Sequence, residues 1–106
     1  MVNKMRGEVE AKIGNKTYIL CLTLGALAEL EAALQANDLN GMIERFEKGR
    51  VSARDLLSII GAGLRGAGHA ISNDELATMN IAGGARGAAK IAAELLAAAF
   101  GEPQSD

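Results

Sequence analysis

The segment 22–34, L-T-L-G-A-L-A-E-L-E-A-A-L, constrains the fold more than any other, because it fuses a sharply capped amphipathic helix to a β-hairpin with no linker between them. Thr23 is the natural N-cap, since its hydroxyl can accept a hydrogen bond from an otherwise unpaired N–H of the first turn. From there Leu24, Leu27, Leu30 and Leu34 recur at three- and four-residue intervals. That spacing predicts one apolar helical face.

The hairpin is expected over Gly7 to Leu22. Val9, Ala11 and Ile13 alternate with Glu8, Glu10 and Lys12, the period-two pattern of a half-buried strand. Gly14-Asn15-Lys16 reads as the turn, because Gly and Asn tolerate the positive φ that tight hairpin turns require. With any two-residue loop, cross-strand partners sum to an odd number, which places Tyr18, Leu20 and Leu22 on the core side with Val9, Ala11 and Ile13. Ile19 and Cys21 then lie beside Glu8, Glu10 and Lys12, more apolar than a solvated face needs. A lone hairpin is marginal in water and has two open edges, so the pattern predicts that it leans on helices and serves oligomerisation or strand addition.

Beyond this unit the chain reads as helical. Asn37 or Asp38 caps a short helix over Leu39 to Lys48, with Leu39, Met42, Ile43 and Phe46 inward and Gly49 as its stop. Ser52-Ala-Arg-Asp55 resembles a capping box, and Ser72-Asn-Asp-Glu75 is one, opening a short helix through Met79. The last helix spans about Gly84 to Phe100, with Arg86, Lys90 and Glu94 as its wet stripe and Ala88, Ile91 and Leu95 turned away. Residues 101–106 read as a flexible tail. The expected fold is α+β, an N-terminal antiparallel β-hairpin packed on a bundle of four to five α-helices in a single domain, residues 1–106.

Aromatic residues are only 3% of the chain, so its core must be built from aliphatic side chains and a great deal of alanine. A formal charge of −2 recruits neither nucleic acid nor an anionic membrane. The single cysteine excludes an internal disulfide and fits a reducing cytoplasm. Residues 1–6 lack the apolar segment of a signal peptide, and no apolar run approaches the roughly 18 residues that span a bilayer. A cytoplasmic protein is expected.

Gly61-Ala-Gly-Leu-Arg-Gly66 matches G-x-G-x-x-G literally. That motif binds a pyrophosphate when it follows a parallel strand and opens a helix, whereas here it falls at a helix end. The expected role is close helix packing, with Gly66 and Gly68 terminating the helix. His69 is the lone histidine without an evident nucleophile, Cys21 lies in a strand interior, and one His with one Cys makes no metal-ligand set. No enzyme activity, cofactor, metal or small-molecule substrate is expected. A helix-turn-helix across Leu39 to Gly66, with Arg45, Lys48, Arg50, Arg54 and Arg65 as a basic lean, is an alternative of a different class. It offers almost no residues suited to reading base edges, and no nucleic-acid partner is expected. Glu31, at the rim of the leucine stripe, reads either as a solvent-reaching carboxylate or as a contact to a basic residue of a partner. The surface expected to bind a partner comprises Ile19 and Cys21 on the hairpin, Glu31, and Arg86 with Lys90 on the last helix.

The run G-E-V-E from Gly7, the segment L-T-L-G-A-L-A-E-L-E from Leu22, and S-A-R-D-L-L-S-I-I-G-A-G-L-R-G-A-G-H from Ser52 to His69 resemble the small tail protein of gene transfer agents and related prophages, a tail tube or tail assembly chaperone family. The resemblance covers roughly Arg6 to Phe100. It implies a non-enzymatic role in building a phage-like tail, with the tape measure protein, the tail tube protein or both as partners. A chaperone is expected over a structural tube component, because tube subunits need enough strand to close a β-ring. The tube component is the alternative within the family.

Overall fold

The computed structural model describes residues 7–34, 41, 44, 45 and 48–100. Strands β1 (Glu8–Ile13) and β2 (Lys16–Cys21) pair antiparallel, and helices α1 (Leu24–Leu34), α2 (Ala53–Gly66), α3 (Asn73–Ala77) and α4 (Gly84–Phe100) follow. This is the α+β architecture expected. Leu39, Met42, Ile43 and Phe46, expected to face inward, and the tail 101–106 lie outside the described residues. Glu44 and Arg45 are helical, and Gly49 (φ +73°) follows, so the stop falls where the glycine predicts it.

The register joins Val9 to Leu20, Ala11 to Tyr18 and Ile13 to Lys16, leaving Gly14 and Asn15 as a two-residue turn. Gly14 takes φ +63°, the left-handed backbone that the primed hairpin turns demand. The expected faces are therefore as observed: Val9, Ala11, Ile13, Leu20 and Leu22 are buried and Tyr18 packs against them.

Both ends of α2 are tied by side chains and backbone. At its start, Ser52 Oγ accepts from the Asp55 amide at 3.1 Å while Asp55 Oδ2 accepts from the Ser52 amide at 3.3 Å, a complete capping box. At its end, the Gly68 amide donates to the Arg65 carbonyl at 3.0 Å and the His69 amide to the Leu64 carbonyl at 2.9 Å. These two bonds form a Schellman motif, made possible by φ +96° at Gly68. From Ser58 to Leu64 the helix is buried on every side, and it packs against β2, α1, α3 and α4. α4 lays Ala88, Ile91, Ala92, Leu95 and Leu96 into the same core, with Arg86, Lys90 and Glu94 exposed as the wet stripe.

The leucine stripe of α1 requires a correction. Thr23 is the N-cap, its Oγ1 accepting from the Ala26 amide at 3.1 Å. The buried line, however, runs through Ala26 and Leu30 with Leu27 at its margin, and Leu24 is 86% exposed. α3 is also shorter than its expected run to Met79, ending at Ala77 with Thr78 as C-cap.

Candidate functional site

The glycine motif resolves into packing contacts. A Cβ on Gly66 would overlap the Cys21 carbonyl oxygen and sit 3.0 Å from the Ala26 Cβ, so the end of α2 meets the backbone of β2 only because that residue is glycine. A Cβ on Gly63 would stand 2.9 Å from Leu95 Cδ1, and one on Gly61 would overlap Asn73 Oδ1. The motif lies at the C-terminal half of a buried helix, where no phosphate can meet a helix N-terminus.

His69, placed by the Schellman motif, sits over the outer edge of β2. Its Nε2 lies 3.2 Å from the Ile19 carbonyl oxygen, and its ring stands edge-on to Tyr18, with centroids 5.0 Å apart at 85°. Ile19 and Cys21 are half-buried and share a groove with Glu8, Thr23, Gly66, Ala67 and His69. The other edge, on β1, is occupied near the turn: the Gly14 amide donates to the Asn80 carbonyl at 2.6 Å and the Ala82 amide to the Lys12 carbonyl at 3.2 Å, with Ile13 bridged to Ile81. Both hairpin edges are thus partly covered, the usual protection against uncontrolled strand addition.

The candidate charged residues separate. Glu31 is half-buried on α1, while the neighbouring Glu29 makes the ion pair, accepting from Arg65 Nε at 2.8 Å and also from Arg65 Nη2. Arg65 Nη1 in turn donates to the Ile71 carbonyl at 2.8 Å, joining α1, α2 and the loop before α3. Arg86 and Lys90 are exposed on α4, and neither is among the residues that line the groove with Ile19 and Cys21. Arg45 is engaged by Asp55 at 3.3 Å and Lys48 by Glu44 at 3.2 Å. With α2 buried from Ser58 to Leu64, the helix of the helix-turn-helix alternative has no reading face over that stretch. Among the described residues, no group of three or more His, Cys, Asp or Glu is placed to hold a metal ion, and no helix is long and apolar enough to cross a membrane.

Two apolar features escaped the sequence. Leu56, Leu57, Met79 and Ile81, with Ala53 and Ala85 at the rim, line an open groove of about 290 Å³ beside the hairpin turn. Leu24 and Phe100 are exposed large hydrophobic side chains, Phe100 at 46%. The only signal for the groove in the sequence is that Leu56, Leu57 and Ile60 give α2 more apolar surface than a single face can bury.

Packing glycines, partly guarded sheet edges and an open apolar groove together describe a small α+β protein. The family model of the phage tail tube protein, GTA-gp10, matches residues 6–102, and the chain belongs to that family. It is a phage-like tail protein. No curated protein and no solved structure matches the chain.

Proposed function

We propose that this chain is a non-enzymatic component of a phage-like tail tube, made in the cytoplasm and acting through protein–protein contacts that include copies of itself. The observation that carries this reading is the match to a tail tube family over nearly the entire chain. The open apolar groove supports it, since exposed apolar surface of this kind suits contacts between chains.

A second reading, a tail assembly chaperone that holds the tape measure or tail tube protein until the tube polymerises, is favoured by one observation. The sheet has two strands among the described residues, with a single bridge at Ile81 beyond them, which is little with which to build a closed β-ring. Mass spectrometry of purified tails separates the two. A tube component is expected in a fixed ratio to the other tail proteins. Its absence from finished tails, together with loss of soluble tape measure or tube protein when its gene is deleted, would overturn the tube reading for the chaperone.

A further inference from the structure

Helix α1 is held differently from the rest of the fold. Between Leu24 and Ala33 only Ala26 and Leu30 are buried, with Leu27 at the margin. Among the described residues, α2 is the one element against which α1 packs closely, whereas α4 packs on α2 and on both strands. α3 also rests on α2, but its exit is tied to β1 by the bonds from Gly14 to Asn80 and from Ala82 to Lys12. Away from α2, α1 would not persist as a helix. It has 11 residues, fewer than the about 12–15 at which isolated helices become marginal. Its last turn carries Glu31 and no basic residue, so the helix dipole opposes the charge there. The Glu29–Arg65 pair across the interface is built as a catch. Arg65 Nε donates to Glu29 Oε2 at 2.8 Å and Nη2 donates to the same oxygen, while Nη1 donates to the Ile71 carbonyl at 2.8 Å. The loop before α3 thus holds the guanidinium on the α2 side, and closing α1 orders one glutamate against a preset arginine. The side chains are 27% exposed at Arg65 and 44% at Glu29, so dissolved salt reaches the pair.

We propose that α1 is a salt-sensitive flap: it detaches from α2 and unfolds as a unit while the hairpin, α2 and α4 stay folded, and Glu29 with Arg65 is the catch that sets how often it opens. The hinge falls at Thr23, the first exposed residue after Leu22, which is buried in the core and stays there. Local openings of this kind are drawn from segments with few buried contacts. Release uncovers the side of α2 on which Ala26 and Leu30 rest, including the close approach at Gly66. A covered apolar strip becomes accessible without loss of the fold. The device is the same whichever tail role the chain has.

Amide hydrogen exchange of the purified chain, followed residue by residue by NMR, tests this. At low salt the amides of Leu27 to Ala33, corrected for sequence, are expected to exchange at least about tenfold faster than the slowest amides of α2 and α4. Raising KCl from about 50 mM to about 0.5 M should speed exchange in α1 about threefold, the effect of weakening a partly exposed ion pair, and leave α2 and α4 unchanged. Glu29→Gln should speed α1 by a similar factor at low salt and remove its dependence on salt. Arg65→Met, which keeps the aliphatic stem, should reproduce both effects, with circular dichroism confirming the fold of each variant. Amides of α1 as slow as the slowest of α2 and α4 would overturn the proposal, because α1 would then leave only when the whole chain unfolds. So would salt or E29Q acting equally on all three helices, or an α1 that neither of them changes. An E29Q chain that keeps the salt dependence of wild type would refute the catch.

Discussion

Replacing Gly66 with alanine tests whether the glycine motif is a packing device. The new methyl group would meet a backbone oxygen, that of Cys21, and would also press on the Ala26 Cβ at 3.0 Å. A backbone carbonyl in a paired strand cannot rotate away, so α2 must shift from β2 or β2 must bend. Overpacking of this kind costs about 1–3 kcal/mol, and a backbone obstacle belongs at the upper end of that range. Alanine's better helix propensity returns up to about 1 kcal/mol, and less at the last residue of a helix. The net expectation is a loss of about 2 kcal/mol, which for a domain of this size lowers Tm by about 10 °C. Gly61→Ala supplies the internal comparison. Its obstacle is the side-chain amide of Asn73, whose Oδ1 is buried without a hydrogen-bond partner and can therefore move without breaking a bond. That variant is expected within about 1 kcal/mol of wild type, since the propensity gain offsets the adjustment. Urea unfolding followed by circular dichroism measures both. If G66A matches wild type while G61A is the more damaging, packing against β2 is not what requires the glycine.

Two further stability differences follow from burial and capping. Leu30→Ala removes a side chain that is 1% exposed and should cost about 2–5 kcal/mol, whereas Leu24→Ala at 86% exposure should stay within about 0.5 kcal/mol; equal losses in urea unfolding would contradict the placement of α1. Ser52→Ala deletes the acceptor for the Asp55 amide and should cost about 0.5–2 kcal/mol, and a thermal melt unchanged from wild type would show that the capping box contributes nothing.

The hairpin and the caps were legible because their signals are local. A period of two and a glycine turn determine register parity, and Ser52, Ser72 and Thr23 each sit where a side-chain oxygen reaches an unpaired amide. The phase of α1 was not legible from leucines alone. At about 100° per residue, Leu24 lies about 120° from Leu30 on one side, while Ala26 lies about 40° from it on the other. Hydrophobicity favours Leu24 for burial, but Gly66 allows α2 to come so close that only a methyl group fits between, and Ala26 takes the core position. The Glu29–Arg65 pair was illegible for the same reason, because the rotation of α1 decides which glutamate faces Arg65. The apolar groove arises from three segments far apart in sequence, at 53–60, 76–81 and 84–88, and no periodicity within one segment can announce it.

The guarded hairpin bears on how such a protein can assemble. A two-stranded sheet with exposed amides and carbonyls would pair indiscriminately, and its stability in isolation would be marginal. Here the segment 80–82 takes the turn half of one edge, and Gly66 with His69 takes the other where Ile19 and Cys21 lie. Part of the outward backbone pairing is therefore spent within the molecule. Apolar side-chain surface remains open in the groove lined by Leu56, Met79 and Ile81 and at Leu24 and Phe100. Adding a strand over the turn half of β1 or over Ile19 on β2 would first require the release of Asn80 from Gly14 or of His69 from Ile19.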